Sequence, residues 1–144
     1  MAFLNKNFLS LHGRVLGLFR GVISPGDSYL GGDSFQGVLE STADTLTAHS
    51  GGGQASALPL MAAINRVTTV AAGADSVLLP PSQPGMTISV INDGANALQV
   101  FGTSPDTIDA VATGTGVALT AAHRAYYVCV TAGAWQSNAG TKSS

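Results

Sequence analysis

The sequence predicts an all-β protein: a small antiparallel β-sandwich, jelly-roll-like, preceded by an extended and partly helical N-terminal arm. Three observations lead there. From Ile64 onward, short runs rich in β-branched and aromatic residues are closed by turn-forming residues every ~8–12 positions, the spacing of sandwiches and barrels. Within several of those runs apolar and polar residues alternate, as a strand with one buried face requires. Before residue 58 the pattern is different, with helical spacing followed by stretches dense in Gly, Ser and Asp.

In the arm, Leu4, Phe8, Leu11, Val15, Leu18 and Val22 recur at alternating spacings of four and three, which is one face of a helix. Gly13, Gly17 and Gly21 mark another face; each costs ~1 kcal/mol of helix propensity relative to Ala, while together they permit close backbone approach. Such a helix needs a surface to dock on. Residues 24–37, SPGDSYLGGDSFQG, read as an extended loop. With Phe19, the aromatics Tyr29 and Phe35 either anchor the arm in a neighbouring chain or fold back on their own domain. Residues 38–62 pass through Gly51-Gly52-Gly53, a hinge or a tight turn. The expected division is an arm and linker over 1–57 and a β domain over 58–144.

Strands are expected at 64–71, 75–79, 86–92, 97–101, 106–109, 115–119, 124–131 and 134–137. Met86, Ile88 and Val90 share one face, and Thr87, Ser89 and Ile91 the other. Asn92-Asp93-Gly94 and Thr131-Ala132-Gly133-Ala134 have hairpin chemistry, so the strands are expected to meander antiparallel. Pro80-Pro81 and Pro84-Gly85 cannot continue a ladder and bracket a loop. The small, polar residues from Asn138 to Ser144 read as a frayed tail.

Composition narrows the functional classes. Charged residues make up 10% of the chain, against about 25% in an average soluble domain, and Ala, Gly, Ser and Thr take their place. A surface so weakly solvated suits burial against copies of itself or a partner. Residues 1–20 hold Lys6, Arg14 and Arg20 with no acid, too sparse a set to displace counterions from nucleic acid, so no nucleic-acid binding is expected. His12 and Arg14 interrupt the apolar stretch from Phe8 to Phe19, which therefore does not read as an export signal, and no run is long enough to span a bilayer. Cys129 is the single cysteine, so the fold must rest on burial.

The residues that bear chemistry are scattered. His12, His49 and His123 lie in separate segments without metal-site spacing, and no G-x-S-x-G elbow is present. Asp106 and Asp109 flank a short strand beside Pro105, where solvated turn roles outweigh paired-acid catalysis. The glycines at 31–32 and 51–53 complete no phosphate-binding motif. Cys129 alternates with Tyr127 and Thr131 as a small core or interface residue. Trp135 is expected over a sheet edge or in an oligomer seam, with a sugar-stacking platform as the sharper alternative. No enzymatic activity and no cofactor or metal are expected.

The stretch INRVTTVAAGADSVLLPPSQPGMTISVINDGANALQVFG, continued by DTIDAVATGTGVAL and YYVCVTAGAW, resembles a recurrent domain of phage virion proteins. The resemblance covers roughly residues 60–137. It implies a small β-sandwich, usually trimeric, used in capsid cement (decoration) proteins or in distal parts of tail spikes and fibres. The implied role is a homotrimer, in preference to a dimer, bound to the major capsid protein on the outer surface of the virion and made in the host cytoplasm. Phe3, Phe8, Arg14, Phe19, Arg20, Tyr29 and Phe35 are then the candidate capsid-binding residues of the arm, and Tyr126, Val128 and Trp135 the candidate oligomer interface. A head-fibre or tail-spike adaptor that recognises a host glycan or another fibre protein is the alternative.

Overall fold

The computed structural model describes residues 40–141. They form ten strands: β1 (Thr42–Thr47), β2 (Leu58–Pro59), β3 (Ile64–Thr69), β4 (Ser76–Leu78), β5 (Thr87–Asn92), β6 (Leu98–Phe101), β7 (Thr107–Ile108), β8 (Val117–Leu119), β9 (His123–Thr131) and β10 (Ala134–Thr141). The described residues are all-β, with no helix among them. Of the sequence-predicted arm and linker over 1–57, residues 1–39 lie outside them.

The strands make two sheets, ordered β1-β3-β5-β9-β10-β7 and β2-β4-β6-β8. Odd strands of the first six enter the larger sheet and even strands the smaller, and within each sheet these strands pair in parallel. The chain therefore coils between the sheets as a short β-solenoid of three coils. This corrects the expectation of an antiparallel, jelly-roll-like sandwich: five of the eight pairings are parallel. Antiparallel partners close one end of the stack, β9 on β5 and β8 on β6, and β10 folds back on β9.

The chain coils because its turns are corners between sheets. Asn92-Asp93-Gly94, expected to reverse the chain as a hairpin, instead carries it from β5 to β6 in the other sheet. Buried Asn92 donates through Nδ2 to the carbonyls of Asn96 and Leu119, and its Oδ1 accepts the Gly94 N–H. Successive corners are tied together. Asn96 Nδ2 donates to the carbonyls of Val70 and Ala71 on the corner below. Asp75, in that corner, accepts the Gly51 N–H from the first.

The glycines at 51–53 form such a corner rather than a hinge. Gly52 has φ +48°, and a Cβ there would lie 2.7 Å from the Ala74 carbonyl oxygen. The segment before residue 58, assigned by the sequence to a linker, supplies β1, so the compact body begins at Glu40. At the other end β10 runs to Thr141, paired with β9 to His123, where the sequence predicts a frayed tail from Asn138. The Thr131–Ala134 hairpin forms as expected, with Gly133 at φ +83°.

Between the sheets lies one core, in which Val67, Val77, Leu79, Val90, Leu98, Val100, Tyr127, Cys129 and Trp135 are buried. Alternate residues of β9 point into it, as do Ile88, Val90 and Asn92 of β5, so the intervening ones form an outer face, on which Ser89 is itself buried.

Candidate interaction face

Two of the three sequence-predicted interface residues share that outer face. On β9, Ala125, Tyr127 and Cys129 are buried, while Arg124 and Tyr126 are exposed and Val128 is half-buried. Trp135 is on the opposite side of the same sheet, 1% exposed, paired with Cys129 on β9 and Ile108 on β7. It belongs to the core, so neither an oligomer seam nor a sugar-stacking platform is open to it. The arm residues Phe3, Phe8, Arg14, Phe19, Arg20, Tyr29 and Phe35 lie outside the described residues.

Register places the outer face in rows. One row runs Gln136, Val128, Thr87; the next runs Asn138, Tyr126, Ser89, Ile64, Thr42; the third runs Gly140, Arg124, Ile91, Arg66. The first two rows contain no charged side chain. Tyr126 is 48% and Val130 64% exposed, the latter as the extra residue where the β9–β10 register shifts.

Charge is confined to the third row. Arg66 donates from Nε to Asp93 Oδ2 at 2.6 Å and from Nη1 to Asp44 Oδ1 at 3.0 Å. These bonds, to Asp93 first and Asp44 second, raise the Arg66 pKa above its ordinary value. The Thr45 backbone N–H, then Arg66, hold the Asp44 carboxyl below its usual value.

The remaining candidate groups serve the scaffold. Asp106 is 7% exposed and accepts the Ser82 N–H at 2.8 Å, so it is buried where the sequence predicts a solvated turn. Asp109 accepts both the Ser137 N–H and its hydroxyl. His123 Nδ1 lies 2.9 Å from the Ala121 carbonyl, and His49 pairs through its backbone with Ser76. No group of three or more His, Cys, Asp or Glu side chains able to hold a metal occurs among the described residues. The Cys129 thiol donates to the Thr131 carbonyl at 3.2 Å from a fully buried position.

Sequence alternation sets Val130 on one face with Tyr126 and Val128, and Ile91 on one face with Thr87 and Ser89, but sequence reasoning missed Ile64 and the Asp44–Arg66–Asp93 cluster as parts of this face. One signal was available for β9. Arg124 has the same parity as Tyr126 and Val128, and an arginine is almost never fully buried unless paired, so that parity had to face outward.

No family model, curated protein or solved structure matches this chain.

Proposed function

We propose that this chain is a non-enzymatic structural component of a phage particle, a cement protein that binds the outer surface of the capsid and stabilises the shell. The observation that supports this reading most is the outer face of the larger sheet: two uncharged rows centred on Tyr126 and Val128, on a body whose buried Asp75, Asp106 and Asn92 are engaged in holding its corners and loops. Such a body offers contact area rather than reactive groups. The resemblance of residues 60–137 to virion domains and the low charge of the chain point the same way. Each contact with the major capsid protein is modest, and repetition over the shell makes the sum large.

A host-binding fibre or spike adaptor is the second reading. It is favoured by Gln136, Asn138 and Thr87 beside Tyr126, a set of amides and hydroxyls around an aromatic ring that suits a glycan. Copy number separates the two by quantitative mass spectrometry of purified particles. On the order of hundreds of copies, as avidity over a shell requires, supports cement, and about a dozen or fewer rejects it. Deleting residues 1–37 is expected to release the protein from particles, and continued decoration would remove the arm from the proposal.

A further inference from the structure

We propose that the outer face of the six-stranded sheet is where a second copy of this chain docks, forming a closed two-fold pair. The inference concerns the body alone: where this face closes on a second copy, the capsid contact of the particle reading falls to the arm of residues 1–37, and pairing can be tested without the particle.

Two surfaces compete for a second copy. One is the open end of the solenoid, where β1 and β2 have neighbours on one side only. There a partner would gain affinity by extending the ladders, but both edges are blocked. In β2 the Leu60 N–H donates to the Leu78 carbonyl, so the backbone of Pro59 between Leu58 and Leu60 faces away from β4, with no N–H to give. In β1 the register shifts twice, Thr45 sits at φ +56°, and its N–H is taken by Asp44. A strand laid along this end finds no continuous row of partners.

The other surface is the outer face. Five strands at ~4.8 Å spacing and ~20 Å of strand length give a footprint on the order of 500 Å². Side-chain relief raises the accessible area above the footprint, toward the ~800 Å² per partner of a standard interface. Its anatomy also fits: Tyr126, Val128 and half-buried Ile64 near the middle, exposed Val130 at the end of β9, amides and hydroxyls around them, and charge along one margin in the row that holds Ile91.

Symmetry follows from how the exposed apolar residues are distributed. A cyclic trimer needs two unlike patches on each subunit, whereas a two-fold pair uses one patch twice. Among the described residues the exposed large hydrophobics are Tyr126 and Val130 on this face and Met61, alone in the β2–β3 turn. Among the described residues one patch is present, which favours pairing of the body over the trimer implied by the resemblance. A two-fold axis lying along the row of Asn138, Tyr126, Ser89 and Ile64 brings the two Tyr126 rings together. It also carries the charged margins to opposite ends, so that Arg124 of each copy lies over the Val128 end of the other and like charges never meet.

Sedimentation equilibrium of the full chain tests this. The expected mass is twice 14.5 kDa. Tyr126→Asp is expected to weaken association at least tenfold, with far-UV circular dichroism unchanged, and Met61→Lys to leave it unaltered. Residues on the axis face their own copies across sheets about 10 Å apart, too far for a direct disulfide but within reach of a short bifunctional linker. Tyr126→Cys or Asn138→Cys is therefore expected to give a covalent dimer with a short bis-maleimide, independently of how the aspartate variant folds. A monomer or a trimer at ~100 µM, a concentration that populates even micromolar complexes, overturns the proposal. So does a folded Tyr126→Asp variant that still pairs, or failure of both cysteine variants to cross-link. None of these outcomes bears on copy number in a particle.

Discussion

Gly94 is pressed against Val70: a Cβ on Gly94 would lie 2.6 Å from both Cβ and Cγ2 of Val70 and 2.7 Å from its backbone nitrogen. No side chain fits at that separation, so two successive corners of the coil can stack only because this position has none. Gly94→Ala is therefore expected to destabilise the protein by about 1–3 kcal/mol through overpacking. Gly73→Ala, where a Cβ meets nothing within 4 Å, should stay within about 0.5 kcal/mol of the parent. Urea denaturation of both variants checks the contrast, and equal costs would show that the corners do not stack this way.

The same corner explains what the sequence left illegible. Strand positions from Ile64 onward were readable because alternation is local: Ile88, Val90, Leu98 and Val100 announce their faces within a few residues. Pairing was not. Ile64 pairs with Ser89, 25 positions on, and Ser76 with Gln99, 23 positions on, so the partners are a full coil apart and no local turn records them. Asn92-Asp93-Gly94 has hairpin composition, yet its glycine is needed for the approach to Val70. β1 was hidden because its register shifts twice and its residues are all exposed or half-buried, leaving no clean period of two. On the candidate face, alternation gave the two sides of β9, with Val130 on the side of Tyr126, but only the tertiary structure shows Trp135 inside.

Asp75 makes the fold sensitive to acid. Its carboxylate accepts the N–H groups of Ala71 at 2.7 Å, Ala72 at 3.0 Å and Gly51 at 3.3 Å. The Ala72 amide foremost, then those of Ala71 and Gly51 and the charge of His49, hold the carboxyl below its ordinary value against the opposing effect of burial. A depressed folded-state pKa stabilises the protein above the unfolded value of ~3.9, and the effect is lost as pH falls through the folded value. Asp75→Asn should lower the urea midpoint at pH 7, and the gap to the parent should narrow below about pH 3.9. A gap independent of pH would show that the charge has no part in holding the corner.

Trp135 reports burial directly, since it is the single tryptophan and is 1% exposed. Its emission should be blue-shifted, poorly quenched by acrylamide and unchanged by dilution, and should move to the red only on unfolding. Trp135→Ala is expected to cost about 3–5 kcal/mol, as deletion of a large buried aromatic does. An emission maximum that responds to dilution or to added oligosaccharide would return this residue to the surface.

Pro59 separates stability from specificity. Because its backbone points away from β4, it contributes no ladder bond, and replacing it with valine removes none. Pro59→Val restores an outward N–H on the edge of the four-stranded sheet and adds a residue favoured in strands. The folded chain should change in stability by less than about 1 kcal/mol, with the lost backbone constraint partly offsetting the better strand propensity. Association is expected to change more: an unblocked edge is a template for another strand, so the variant should form larger species on prolonged incubation while the parent does not. Light scattering over time, with thioflavin binding to identify β-stacked material, follows the difference. If Pro59→Val and the parent scatter alike, the missing N–H is not what protects this end of the coil, and the bulge at Thr45 must suffice on its own.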